Sequence, residues 1–363
     1  MIAHTSDAAK VTGGRREQPD LKQRDRARVR DHGEFDHLLG FRTTASVREI
    51  IRCNLLEPVR SVIDSRGKRV RGRLVALSYH LLAGDDAVAH EAIERCRICA
   101  EVVELIHAGS LVVDDIEDGS PTRRGKPALH VRYGLALALN AGNWLYFWPF
   151  ELIRTLELGN QITLSIYEYY HRTLLQAHFG QGVDLGTRLE RLLQSRVADV
   201  CLASMELKTG ALMGFAAGLG AMMASAAEPV VSTLDRFGRR LGVALQMFDD
   251  LGNVLGIRDP LKKYEDFKLR RPSWAWACAA KTSSPTSYRD FISAVGKLPK
   301  TRELELWLEK HRLIETMREG ARFRLQAAFD RLEERLEVQR VRWSRARLAE
   351  LRALGETIAG AYE

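Results

Sequence analysis

From about residue 38 onward, apolar residues return every third or fourth position with few interruptions. VREIIRCNLLEPVRSVI (47–63), AIERCRICAEVVELIHAGSLVVDDI (92–116) and LERLLQSRVADVCLASMELKTGALM (189–213) all keep this spacing, which places one apolar stripe along each of a series of helices. Alternating β-branched runs separated by tight turns are missing, so strands are not expected. Pro58, Pro121, Pro127, Pro229 and Pro260 fall at the ends of periodic segments, where proline punctuates helices rather than breaking them. GALMGFAAGLGAMMASAA (210–227) is dense in small residues and lets neighbouring helices approach closely. The pattern predicts an all-α fold: a single large bundle of about ten or more helices. Residues 1–37 are predicted to be a basic, flexible tail, and 38–363 the helical domain.

Composition narrows the function classes. A chain of 363 residues with 45% hydrophobic content can bury a substantial core. No apolar run approaches the roughly 18 residues needed to span a bilayer. The five cysteines (Cys53, Cys96, Cys99, Cys201, Cys278) are too scattered for a disulfide framework. Cys96 and Cys99 lack a second pair to complete a zinc site and read as small buried residues one turn apart. A reducing cytoplasm fits this usage. The net charge of +8 suits an anionic partner: nucleic acid, lipid headgroups or phosphorylated small molecules. The basic stretches GRREQPDLKQRDRARVRDHG (14–33) and EVQRVRWSRARLAELR (337–352) hold one aromatic between them, Trp343, and not the series of interleaved aromatics that stacks successive bases, so nucleic acid is set aside.

The charged residues then sort themselves into constellations. Asp114 and Asp118 are four residues apart, which puts them on one helix face with Cβ atoms about 5–6 Å apart; Asp115 lies beside them. Clustered carboxylates repel and are costly to bury unpaired, so they call for counter-ions. Oxygen-only ligands favour Mg²⁺, which binds through one or two carboxylates plus substrate phosphates. Asp249 and Asp250 form a second acidic pair at the end of another apolar run. Lys208 and Thr209 stand inside an apolar helix, Lys68, Arg69 and Arg71 precede one, and His107 lies two turns before Asp114. Two acidic clusters and several basic segments describe a polyphosphate bridged to carboxylates by metal and clamped by basic side chains.

The order of these motifs resembles the trans-isoprenyl diphosphate synthases, the polyprenyl synthetase family. GKRVRGRL (67–74), LIHAGSLVVDDIEDGSPTRRGKPALHVRYG (105–134), GQGVDL (180–185), KTGAL (208–212) and LQMFDDLGN (245–253) fall in that family's order. The resemblance implies a helical isoprenoid synthase bundle with a central active-site cavity. It also implies a Mg²⁺-dependent prenyltransferase that joins isopentenyl diphosphate to an allylic diphosphate, giving an all-trans prenyl diphosphate. Asp114, Asp118 and Asp249 would ligate Mg²⁺, with Asp115 supporting and Asp250 as a ligand or directly behind one. Arg123, Lys208, Thr209 and Gln246 match positions that hold the allylic diphosphate. Lys68, Arg71, His107 and Arg124 match those that hold isopentenyl diphosphate. In the family the proton is lost to the departing pyrophosphate. A homodimer is also implied, and a lipid-like product makes contact of the basic tail with a membrane surface an expectation.

Several positions depart from that pattern. Asn253 stands where the family has a third aspartate, and Gly72 where it commonly has proline. In DPLKKYEDFKLRRPSWAWA (259–277), Asp266 fits the pattern, Arg271 replaces a lysine, and Lys262 or Lys263 supplies a further cation. Arg270 replaces a glycine, so the loop is expected to take a different path or move less. Trp144, Tyr146, Phe147 and Trp148 either wall the hydrocarbon cavity or serve core or dimer packing. Gly109 and Ser110 are small, opening the cavity floor toward a geranylgeranyl-length or longer product. Two alternatives remain: a terpene cyclase-like enzyme that ionises one allylic diphosphate, and a partner subunit of a heteromeric synthase.

Overall fold

Helical periodicity is realised along nearly all of the chain that the computed structural model describes, residues 32–65, 67, 69–84, 90–257 and 260–362. The predicted tail, 1–37, lies mostly outside these residues. The chain divides into two compact units, Met1–Ile51 and Arg52–Glu363. In the first, α1 (His32–Leu39) and α2 (Ala45–Ile51) are joined by a turn in which Thr43 donates to Asp36 Oδ1 through its backbone N–H at 3.0 Å.

The second unit opens with a π-helical turn, Arg52–Leu56, and α3 (Glu57–Ile63). There follow α4 (Val70–Ala83), α5 (His90–Glu117), α6 (Leu129–Tyr133), α7 (Leu135–Arg154), α8 (Asn160–Gly186) and α9 (Gln194–Met205). A second π-helical turn, Glu206–Gly210, leads into α10 (Ala211–Met223), then α11 (Glu228–Leu255), α12 (Glu265–Leu269) and α13 (Trp274–Thr282). The chain closes with α14 (Pro285–Gly296), α15 (Arg302–Lys310), α16 (Leu313–Val338) and α17 (Arg345–Ala359).

Helix α10 is the axis of the bundle. Every residue of it except Met222 is buried, and α4, α5, α8 and α11 all pack against it. By length and composition the stretch Gln194–Met223 is enough to cross a membrane, contrary to the sequence expectation, but 61% of its apolar window is buried inside the protein. Its apolarity therefore serves the core. Helix α11 shows why a long helix forms here. Val230, Leu234, Phe237, Leu241, Ala244, Phe248 and Leu251 recur at three- and four-residue steps and are all buried, giving one continuous face toward α10 and α16.

Two local features escape the periodicity. Pro149 lies inside α7, and in the same turn the buried Tyr170 donates its hydroxyl to the Tyr146 carbonyl at 2.6 Å. A two-stranded antiparallel ribbon, β1 (Thr122–Arg123) with β2 (Lys126–Pro127), follows α5. Its tip, Arg124-Gly125, has φ of 53° and 74°, as a two-residue type I′ turn requires of both central residues. Strands were not expected; these are too short for alternation to reveal them.

The small residues of α10 and α11 set the spacing of the core. A Cβ on Gly238 would stand 2.8 Å from Gly214 Cα and from the Met213 carbonyl carbon, backbone that cannot give way. Gly238→Ala is therefore expected to lower unfolding stability by about 1–3 kcal/mol in a denaturant titration. Gly182→Ala, on an exposed stretch of α8 with nothing within 4 Å, should be neutral or stabilising by up to about 1 kcal/mol. Equal effects at the two sites would sink the close-packing account.

Candidate active site

The apolar stripe of α5 runs straight into its acidic end, so one helix carries Asp114 and Asp115 to the rim of the bundle and Asp118 follows at its terminus. Adjacent helical residues point about 100° apart, and the structure resolves the two aspartates accordingly. Asp114 faces the cleft, whereas Asp115 turns inward and is 3% exposed.

Each carboxylate meets a cation from a different element. Lys208, carried by the wide π-turn before α10, places Nζ 3.1 Å from Asp114 Oδ1 and 3.0 Å from Asp184 Oδ2. Arg123, in β1, donates Nε to Asp115 Oδ1 at 2.8 Å and stands 3.7 Å from Asp114 Oδ2. Arg271, just before α13, pairs with Asp118 and donates to the Asp184 carbonyl at 3.2 Å. Gln181 completes the set, donating to Asp114 Oδ1 at 3.2 Å and Glu117 Oε2 at 2.5 Å. Burial alone would raise the Asp114 pKa, but Lys208, helped by Gln181 and Arg123, outweighs it and holds the carboxyl below its usual value. At Asp118 burial wins, with the neighbouring Asp114 charge adding to it, and the pKa is raised. Lys208 is half-buried, its side chain 36% exposed; that burial would lower its pKa, but Asp114 and Asp184 outweigh it and keep the ammonium charged.

Asp184 and Gln181 were not assigned a role from sequence, although both lie in the GQGVDL stretch. The signal available was a carboxylate and an amide on one helix, three residues apart.

A second basic group gathers beside this network. Arg71 lies at the start of α4, His107 two turns before Asp114, and Arg124 at the tip of the ribbon, donating to the Ser65 carbonyl at 3.2 Å and hydroxyl at 3.1 Å. Burial, then the charges of Arg71, Arg124 and Arg123, depress the His107 pKa well below the usual value, so the imidazole is neutral at pH 7. The Arg71 Nε is buried without an acceptor in the protein; a phosphate oxygen is the kind of acceptor it lacks. Lys68 lies outside the described residues. Gly72, in place of proline, donates its N–H to Glu104 Oε1 at 2.8 Å, a bond proline has no hydrogen to make.

The second acidic pair divides as the first does. Asp249 is exposed near the end of α11, and Tyr362 donates its hydroxyl to Asp249 Oδ1. Asp250, expected as a metal ligand or directly behind one, is turned into the core at 5% exposure. Its Oδ1 accepts from Gln246 at 2.9 Å and its Oδ2 from the Trp274 N–H at 2.6 Å, so it anchors the positive end of α13 rather than facing the cleft. Burial raises its pKa, against the two hydrogen bonds. Thr209 donates to Gln246 Oε1 at 2.9 Å, linking the π-turn to the same chain of bonds.

The loop after α11 holds the other departures from the family pattern. Asn253 is a brace: its amide donates to the Lys262 carbonyl at 3.1 Å, and its own carbonyl accepts from the Tyr264 N–H at 3.2 Å. An aspartate lacks the side-chain donor that the first bond needs. Lys262 and Lys263 pair with Glu265 and Glu305 at 3.3 and 3.4 Å instead of joining the acidic cluster. Arg270 adopts φ 59°, the left-handed conformation that glycine favours, at a cost of about 1–2 kcal/mol. Asp266 is half-buried, and its desolvation together with the Asp250 charge raises its pKa well above the usual value.

The cavity-floor residues also separate. Gly109 is buried against α7, where an added Cβ would meet the Gly142 carbonyl oxygen at 2.9 Å and Leu145 Cβ at 3.0 Å. Its smallness brings two helices together and opens no space. Ser110 is half-buried, its hydroxyl donating to the His107 carbonyl at 2.9 Å. Among the aromatics, Trp144 and Trp148 stack on each other at 4.9 Å and Phe147 is 69% exposed. Tyr146 sits edge-on to His178 at 5.5 Å, and burial followed by the Glu117 and Asp114 charges raises its pKa. It is the one of the four that senses the acidic rim.

Among the described residues, no three acidic, histidine or cysteine side chains are close enough to hold a metal ion by themselves. The donors that reach the cleft are carboxylate oxygens, hard ligands that suit Mg²⁺, an ion that fills its remaining positions with water and substrate phosphate. The residues present therefore fit a cation shared with a phosphorylated ligand.

Residues 52–307 match the family model described as Polyprenyl synthetase. A geranylgeranyl diphosphate synthase of Methanosarcina mazei is 29% identical over 209 residues, 58% of this chain and 61% of that protein. A geranylfarnesyl diphosphate synthase of Aeropyrum pernix is 30% identical over 250 residues, 68% of this chain and 74% of that protein. Three curated relatives, the Methanosarcina protein among them, are matched over 61%, 57% and 62% of their own length. The solved structure of a geranylgeranyl pyrophosphate synthetase from Pyrococcus horikoshii Ot3 shares the fold with a TM-score of 0.72 at 26% identity, covering 84% of this chain and 90% of that one. The match over 52–307, borne by the same helical architecture, shows that the chain belongs to the polyprenyl synthetase family.

Proposed function

We propose that this protein is a Mg²⁺-dependent prenyltransferase that condenses isopentenyl diphosphate with an allylic diphosphate. The product is an all-trans prenyl diphosphate of geranylgeranyl length or longer. One observation carries the reading: two basic groups stand side by side, one paired with a cluster of carboxylates and the other holding a buried Arg71 Nε that no acceptor among the described residues meets. Arg123, Lys208 and Arg271 are paired with Asp114, Asp115, Asp118 and Asp184. Arg71, His107 and Arg124 gather beside it, with Glu104 and Asp249 the carboxylates whose charges reach Arg71, a basic group that fits a second diphosphate. That second group has no use in a cyclase, and the intact first acidic segment argues against a non-catalytic partner subunit.

Asp114, Asp118 and Asp249 would hold the metal, which when bound neutralises the diphosphate as it leaves. Arg123, Lys208 and Arg271 put fixed positive charge where negative charge grows on the leaving group. Thr209 and Gln246 extend this wall toward α11. The allylic carbon thereby becomes cationic within the apolar interior. Arg71, His107 and Arg124 orient isopentenyl diphosphate so that its double bond attacks that carbon. A carbon–carbon bond forms, the carbon–oxygen bond to diphosphate has broken, and the proton shed from isopentenyl passes to the departing diphosphate. Asp115 and Asp250 act from behind, fixing Arg123 and Gln246.

Phe147 on α7 and Phe179 on α8, 69% and 66% exposed, support a homodimer. Light scattering at the mass of one chain would remove that reading. The names of the Methanosarcina and Aeropyrum proteins support the product length.

The function is tested by incubating the protein and Mg²⁺ with labelled isopentenyl diphosphate and separate allylic primers. Label in a longer diphosphate is expected; hydrocarbon released from a primer alone would favour the cyclase instead. Asp114→Ala should abolish turnover while leaving helical circular dichroism intact, and retained activity would remove Asp114 from the site. Ser110→Phe should shorten the product as read by mass; an unchanged chain length would take Ser110 out of the cavity floor.

A further inference from the structure

The last described residues, Gly360–Tyr362, form one 3₁₀ turn that follows α17 and returns to α11. This brings Tyr362, 4% exposed, onto the second acidic motif from 113 residues away. Its ring packs against Gly252. An added Cβ there would stand 3.0 Å from Tyr362 Cε1 and closer still to Cδ1, so a larger residue would unseat the ring. Gly252 is three residues beyond Asp249, hence on the same side of the helix, and the hydroxyl reaches back to donate to Asp249 Oδ1. The glycine of DDLGN is thus the seat, and its leading aspartate the acceptor, of one tyrosine.

We propose that Tyr362 is a positioning residue for Asp249, holding that carboxylate where it would meet a divalent cation carried in by diphosphate. The inference rests on the prenyltransferase reading, in which Asp249 holds metal. Asp249 is exposed, and an exposed carboxylate samples several rotamers whose loss opposes binding. A buried phenol at a fixed place removes that freedom beforehand. Partners that orient a metal's ligands in this way change metal affinity by about 10–100-fold when lost.

Tyr362→Phe keeps the ring on Gly252 and removes only the donor. The full-length chain and this variant are titrated with Mn²⁺ in the presence of inorganic pyrophosphate. Bound Mn²⁺ is followed by electron paramagnetic resonance well below each unfolding midpoint, and the midpoints by circular dichroism. The variant is expected to bind Mn²⁺–pyrophosphate about tenfold more weakly with an unchanged midpoint. Gly252→Ala, which displaces the ring and its hydroxyl together, should weaken binding similarly while also lowering the midpoint. Equal affinity of Tyr362→Phe and the unaltered protein overturns the inference. Failure of the unaltered protein to bind Mn²⁺–pyrophosphate at all overturns the prenyltransferase reading, and this inference with it.

Discussion

Lys208 joins Asp114 of α5 to Asp184 of α8 through one ammonium, and the geometry of the cleft follows from that bridge. Two carboxylates held this close, and largely out of water, repel unless a cation lies between them. Lysine is rarely buried inside an apolar helix without a partner. The π-turn at Glu206–Gly210 re-aims the chain at this point, and such turns recur at functional sites. Arg271 and Arg123 repeat the solution at Asp118 and Asp115. The folded protein thus carries alternating charges along its rim, compensated by its own side chains in the absence of substrate. On the proposed reading, diphosphate and metal exchange with these internal partners, so the cations are already aimed at the place where anionic oxygens arrive.

What could be read from the sequence was local. The apolar stripe of α5 and its acidic end lie within one helix, and the periodicity of α11 is unbroken over its length, so helices and the order of motifs were legible. What required the third dimension was the phase of each helix against its neighbours. Adjacent aspartates look alike in sequence, yet Asp115 and Asp250 turn inward while Asp114 and Asp249 reach the cleft, because α7, α13 and α16 decide which side of α5 and α11 is covered. Gln181, Asp184 and Tyr362 are brought in by elements remote in sequence, and no spacing rule connects them to the carboxylates they meet. Gly109 shows the opposite error: its smallness was visible, but whether a small residue leaves a space or lets another helix fill it depends on α7.

Part of the local backbone cost lies in the segments that frame the same cleft. Arg69, Arg124, Tyr264 and Arg270 all have positive φ, a conformation that side-chain-bearing residues enter at a cost and keep only when surrounding structure imposes it. Asn253 contributes to that imposition by holding the Lys262 and Tyr264 backbone, where a third carboxylate would have brought charge and no donor. The departures from the family's pattern in this loop therefore belong together: fewer acidic groups, and a backbone braced from within.

The ribbon after α5 carries a consequence for how the site is gauged. Arg123 belongs to its first strand and points to the carboxylates of α5, while Arg124, the next residue, sits in the left-handed turn and points toward Ser65. Two neighbouring Cα atoms are 3.8 Å apart across a trans peptide. The anchor points of the two basic groups are thus linked by a single peptide unit, which works as a fixed spacer between them. Any change in the length of this ribbon moves both anchors at once, so their separation is a property of the turn type rather than of the large helices on either side.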